Sequence, residues 1–333
     1  MRIARLNTWI FTAILVFLFF PADSRSVQIP ATFRAPILGH VLDRNLHAIR
    51  PIVGILGSSR VEAPLDLGFS VREAAFLTDQ VHAIVASSDI ATALVLDLEV
   101  PSRSSSIAGA TSSASMIRIS RDGTSAGLYD SEKNQLLLVG GLPSAPDVRA
   151  TIDLSFEGHV LRGYAISNDG AVALLAFGGE ESDTVYSWTS SAGPHFVTNS
   201  SKVSDLAFID DDAVLADAGS NQVFLLRSVQ NQASPVLIAD SHDGVEGSAF
   251  LSISSRNEIY IGSTHEVLVL DATGHKLRSI ECNCTVTTMA PLRESAIRLT
   301  DALNQPVFVL DGRRSPEQVL FIPALSVTPE EVR

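Results

Sequence analysis

Apolar and polar residues alternate along most of this chain in short runs, and a polar turn separates each run from the next. A period of two is the mark of a strand with one buried face, so the pattern predicts strands and turns almost throughout. In residues 253–274, ISSRNEIYIGSTHEVLVLDATG, two such strands stand with polar turns before, between and after them. The unit recurs as strand, short turn, strand, polar loop, and a third strand that often ends in Asp. Its opening hairpin returns as AAFLTDQVHAIVA, IRISRDGTSAGLY, YAISNDGAVALLAF, LAFIDDDAVLADA, LSISSRNEIYIGS and APLRESAIRLT. Asp122-Gly123 and Asp169-Gly170 are the strongest turns, because Asp-Gly suits the positive φ of a type I′ hairpin.

Third strands read as GHVLD, LVLD, LLLV, VYSW, VFLL, VLVLD and VFVLD, and fourth strands as AIRPIVG, KLRSIEC and EQVLFIP. A terminal Asp closes an Asx turn, which accounts for Asp43, Asp97, Asp271 and Asp311 without any further role. The hairpin turns return every 37 to 47 residues or so, roughly the length of a propeller blade. Four short antiparallel strands cannot bury both faces of their sheet alone, whereas stacking such sheets radially buries both and leaves only short edges. The expected fold is therefore all-β, a β-propeller of four-stranded antiparallel blades, rather than a sandwich or the shorter coils of a β-helix. Seven blades are expected, with six as the alternative. The seventh depends on ALSVT, residues 324–328, serving as the first strand of the N-terminal blade.

The ISRDG and ISNDG hairpins, followed by strands ending VLVLD or VFVLD, resemble the bacterial secreted propellers with WD40-like, YVTN-like or NHL-like repeats. The resemblance covers nearly all of the chain after its first two dozen residues. No Trp-Asp pair ends a blade, no YVTN string occurs, and SRDGTSAG lacks the closing aromatic of an Asp-box, so no subfamily is singled out. The resemblance implies a binding platform and assigns no ligand.

The N-terminus departs from the alternation. Arg2 and Arg5 precede an apolar run from Trp9 to Phe20, and Ala22 and Ser24 supply small residues at signal-peptidase spacing. Residues 1–24 are expected to be a Sec-type signal peptide and residues 25–333 a single propeller domain, secreted or periplasmic. An uncleaved N-terminal anchor is the alternative. No later run is long enough to span a bilayer. Removing Arg2, Arg5 and Asp23 from the formal charge of −13 leaves −14. That charge repels phosphate backbones and anionic lipid, so nucleic acid and membrane surfaces are poor partners.

Cys282 and Cys284 stand alone in ECNCTV. Two residues i and i+2 of a strand sit near the upper Cα limit for a bridge, so two packed thiols are expected, with a turn-borne disulfide and a redox or soft-metal pair as alternatives.

Candidate chemistry is sparse and belongs to the face that carries the blade-to-blade connections and the loops between second and third strands; the Asp-Gly hairpins lie on the opposite face. On the connection face, ADSHDGVEG brings Asp240, His242, Asp243 and Glu246 together, and His242 and Asp243 are the candidate ligands of a divalent metal. Asp205, with Lys202 and Glu281, is placed near the mouth of the central channel. Asn134, Asn221 and Asn304 each precede a third strand and could form a ring of amides facing a ligand, or simply serve as turn residues. The run Asp210-Asp211-Asp212 has neither the Gly nor the closing Glu of a calcium loop. HEVLV carries Val269 where a zinc-protease helix needs its second His. No nucleophile elbow, phosphate loop or dinucleotide fingerprint is present. The Ser-rich stretch 101–115 reads as a surface connection.

The leading expectation is an exported, non-enzymatic and monomeric platform for a protein, peptide or glycan, with no resident cofactor. The alternative is a metal-dependent hydrolase or lyase at the channel mouth, drawing on Asp205, His242, Asp243 and Glu246. A scaffold docking other exported proteins in a Gram-negative envelope is the third possibility.

Overall fold

The computed structural model describes residues 35–231, 233–301 and 306–323. Seven antiparallel sheets follow one another along the chain, each built from strands adjacent in sequence. Blade 1 contributes Ile37–Asp43, Ala48–Ile55 and Ser58–Val61. Four strands each make blade 2 (Glu73–Phe76 to Ser104–Ser106), blade 3 (Ala114–Ile119 to Asp147–Asp153) and blade 4 (Val160–Ile166 to Gly193–Ser200). Blade 5 (Val203–Ile209 to Ser234–Ala239), blade 6 (Phe250–Ile253 to Lys276–Glu281) and blade 7 (Ala290–Pro291 to Gln318–Ile322) repeat the arrangement. The chain is a seven-bladed β-propeller.

The packing shows why the sheets close into a ring. Seven hydrophobic clusters among the described residues lie one between each pair of neighbouring blades. The cluster that closes the ring sets Leu38, Val41 and Ile52 of blade 1 against Val307, Val309 and Ile322 of blade 7. Both faces of each central strand are apolar, as VALLAF in blade 4 illustrates, because both pack on a neighbour. Between blades 3 and 4, the buried Tyr164 hydroxyl donates towards the carbonyls of Gly127 at 2.6 Å and Met116 at 3.0 Å. A Cβ on Gly127 would lie 2.4 Å from the Tyr164 ring, so the aromatic fits only over a bare backbone.

All six expected hairpins are present, but Asp-Gly does not form the type I′ turn. Gly123 and Gly170 take φ of 80° and 67° while their preceding Asp residues do not, and each Gly N–H donates to the carbonyl three residues earlier. This is a type I turn ending in a left-handed residue. Leu77–Gln80 and Ser254–Asn257 make the same turn, with Gln80 and Asn257 at φ 55° and 61°. The Ser-rich stretch also departs from expectation: Ser104–Ser106 is the outer strand of blade 2, since backbone pairing to Leu94–Asp97 needs no apolar side chain.

GHVLD is a second strand and not a third. Asp43 Oδ1 accepts the N–H groups of Asn45 and Leu46, as Asp130 Oδ1 accepts those of Glu132 and Lys133 and Asp217 Oδ1 those of Gly219 and Ser220. Each Asp is followed four residues later by a left-handed residue: His47, Asn134 and Asn221 at φ 49°, 52° and 54°. Residues 37–43, 48–55 and 58–61 therefore hold the second, third and fourth positions of blade 1. The expected closing strand, residues 324–328, lies outside the described residues, as does the leader at 1–24.

Candidate functional site

In the connection-face loop between blades 5 and 6, Asp240, His242 and Asp243 form a self-contained turn, and Glu246 follows it without a side-chain contact to the other three among the described residues. Asp240 Oδ1 accepts from His242 N at 2.7 Å, and Asp243 Oδ2 accepts from Asp240 N at 3.3 Å, a capping box on the single turn Ser241–Asp243. The His242 backbone N–H holds the Asp240 carboxyl below the usual carboxylate range. The His242 ring projects with 91% of its side chain exposed. Glu246 takes part through its carbonyl, which accepts from Thr264 Oγ1. Among the described residues, no three His, Cys, Asp or Glu side chains converge as a cation would require.

Asp205 lies on the inner strand of blade 5, buried, where it staples neighbouring elements. Its Oδ2 accepts from Leu251 N of blade 6 at 3.0 Å, and its Oδ1 lies 3.4 Å from Arg118 Nη2 of blade 3. That ion pair skips blade 4 and so reaches over the ring interior. Arg121 does the same at the hairpin face: its guanidinium donates to Ser254 O at 2.7 Å and to Asn257 Oδ1 in blade 6, and pairs with Asp210 of blade 5 at 3.4 Å. A planar fork of donors suits such a three-sided closure. Sequence spacing gives no hint of these contacts, because the partners sit on non-adjacent blades.

Asn134 and Asn221 are turn residues with left-handed backbones, and Asn221 Oδ1 accepts from Gly247 N at 2.9 Å. Asn304 lies outside the described residues. Lys202 offers its backbone N–H to Asp217, and Glu281 borders a cleft of about 580 Å³ between the outer strands of blades 6 and 7. In that cleft Arg278 is already held by Glu258 at 3.1 Å and Glu317 at 2.7 Å.

Cys282 and Cys284 form a disulfide, correcting the expectation of packed thiols. The strand ends at Glu281 and the chain bends at Asn283, which brings the two Cα atoms to 5.1 Å, closer than an extended strand allows. The bridge is buried against Val286 and Met289 between blades 6 and 7.

The strongest surface feature was not anticipated from sequence. In blade 4, Phe156, Phe177, Tyr186 and Phe196 form a ladder of edge-to-face contacts with centroids 5.4 to 6.2 Å apart. It climbs from Phe177, fully buried, to Phe156 at 43% and Phe196 at 60% exposure. Glu157 Oε2 accepts from the Tyr186 hydroxyl at 2.8 Å and fixes the middle ring. The available signal was VYSW: an aromatic pair occupies a third strand whose counterparts read LLLV and VLVL.

No family model matches this sequence, and no curated protein shares detectable sequence similarity with it. Solved structures do match. A protein of unknown function from Desulfotomaculum acetoxidans aligns with a TM-score of 0.60 at 14% identity, over 86% of this chain and 95% of the other. PorZ, a surface component of the type-IX secretion system of Porphyromonas gingivalis, aligns with a TM-score of 0.59 at 12% identity, over 89% of this chain and 39% of PorZ. The WD40 repeats of RRP9 align with a TM-score of 0.50 at 14% identity, over 78% and 82%. At such identities the likeness speaks for the fold alone, and the fold is that of a seven-bladed β-propeller.

Proposed function

We propose that this chain is an exported, non-enzymatic binding platform for a protein, peptide or glycan, and that the aromatic ladder of blade 4 is its contact surface. The propeller fold fits a platform. The observation that carries the reading is the pair Phe156 and Phe196, large apolar rings left in solvent beside an ordered hydrophobic base. Partner-binding surfaces are enriched in aromatic anchors of this kind. The polar groups of the channel and of the Asp240–Glu246 loop are instead engaged with their own scaffold. A positively charged apolar leader supports export, and a Cys282–Cys284 bridge is at home in an oxidising compartment. Among the described residues no helix is long and apolar enough to cross a membrane.

Peptide and glycan arrays probed with the purified chain and its Phe196→Ser variant test this reading. Wild type should mark a coherent set of features that the variant loses. An array left blank by wild type, or marked identically by both proteins, would remove the ladder from the function.

A further inference from the structure

Resting on that reading, we infer that the ligand of the blade 4 ladder is an extended basic peptide segment bearing an aromatic or aliphatic side chain. The rings choose peptide over sugar. Successive members of the ladder are inclined at 76° to 87°, so they offer clefts between an edge and a face rather than the flat platform on which a sugar ring stacks. A single apolar side chain fits such a cleft. The exposed outer strand Gly193–Ser200, which carries Phe196, lies alongside and leaves a free edge for extended backbone.

The charges choose the sign. Two loops meet at this end of blade 4: residues 154–159, leading into its inner strand, and residues 179–182, joining its second and third strands. They carry Glu157, Glu180 and Glu181, and none of the three pairs with a cation among the described residues. Arg162, on the inner strand Val160–Ile166 of the same blade, is already neutralised by Asp183 at 2.9 Å. Apolar rings rimmed by uncompensated carboxylates, on a chain of net charge −13, complement lysine or arginine flanking an apolar residue.

Three synthetic heptapeptides test the inference on the purified chain: alternating lysine and phenylalanine, alternating glutamate and phenylalanine, and alternating lysine and serine. Trp188 packs against the same cluster as the ladder and reports by fluorescence, with calorimetry as the second readout. The lysine–phenylalanine peptide should bind saturably, at least tenfold more tightly than either control. Phe196→Ser, and separately Glu180→Lys with Glu181→Lys, should each weaken it about tenfold or more, and raising salt from 0.05 to 0.5 M should weaken it further. These positions are exposed, so unchanged thermal melts confirm that the variants fold. Equal binding of the acidic and basic aromatic peptides would overturn the charge assignment while leaving the ladder a contact surface. Binding indifferent to Phe196→Ser, array signal from glycans alone, or a dimer of this chain that Phe196→Ser dissolves would each overturn the peptide assignment. Failure of all three peptides would do the same, whereas the platform itself stands or falls on the arrays.

Discussion

His40 gives the sharpest quantitative test of the packing. It sits in Ile37–Asp43 with 1% exposure, stacked on Phe76 at 5.9 Å, and neither ring nitrogen makes a hydrogen bond of ordinary geometry, the Gln80 backbone being the polar group beside it. Burial, reinforced by the positive charge of Arg293, pulls its pKa down from 6.5 to about 4. The unfolded chain therefore takes up a proton between these two values that the folded chain refuses. Stability is intact above about pH 6.5 and is lost as pH falls towards 4. By linkage the His40 contribution costs about 0.2 kcal/mol at pH 7, about 1.4 at pH 5.5 and about 3 at pH 4. Carboxylates also titrate in this range, so the informative quantity is the difference between wild type and His40→Leu. The variant removes an unsatisfied polar group at neutral pH, worth roughly 1–3 kcal/mol. Its advantage should then grow by about 3 kcal/mol between pH 7 and pH 4, read from urea unfolding at each pH. An advantage that stays constant across that range would show that His40 is protonated, or partnered, in the folded chain.

The remaining expectations concern the blade interfaces. Gly127→Ala forces a methyl against the Tyr164 ring and should cost about 1–3 kcal/mol in urea unfolding; Tyr164→Phe removes one buried hydrogen bond to a carbonyl on a strand paired on both sides and should cost about 0.5–1.5 kcal/mol. Asp205→Leu orphans the buried N–H of Leu251 and should lose about 1–3 kcal/mol, while Arg118, nearly half exposed, returns its charge to water. His242→Ala, on the exposed turn, should change stability by less than about 0.5 kcal/mol, and a larger loss would mean that this loop does more than cap itself. Replacing both Cys282 and Cys284 with Ser opens a three-residue loop, for which chain entropy gives only about 1.6 kcal/mol; a melting temperature unchanged by reductant would show the bridge to be absent.

Local periodicity made the blades legible, because each hairpin is defined by residues close in sequence: Ser120 to Ser125 and Ser167 to Val172 hold their turns with their own hydroxyls and amides. The position of a strand within its blade was less legible. An apolar run ending in Asp serves equally as a second strand at Asp43, Asp130 and Asp217 and as a third strand at Asp97, Asp271 and Asp311, and only pairing separates the two uses. The functional surface was least legible. Phe156 comes from a connection, Phe177 from a second strand, Tyr186 from a third and Phe196 from a fourth, so each looked like an isolated apolar position until the sheet placed them side by side. The acidic loop at Asp240 drew attention for the opposite reason. Its residues are close in sequence, and what that proximity builds is a capped turn.

Hydrogen–deuterium exchange of the purified chain, with and without the lysine–phenylalanine peptide, tests the location of the site most directly. New protection is expected in residues 154–160 and 193–200, which carry Phe156 and Phe196, with little change in residues 241–246 or in the hairpins around Arg121. Protection centred on those hairpins or on the Asp240 loop, with blade 4 unaffected, would contradict that location.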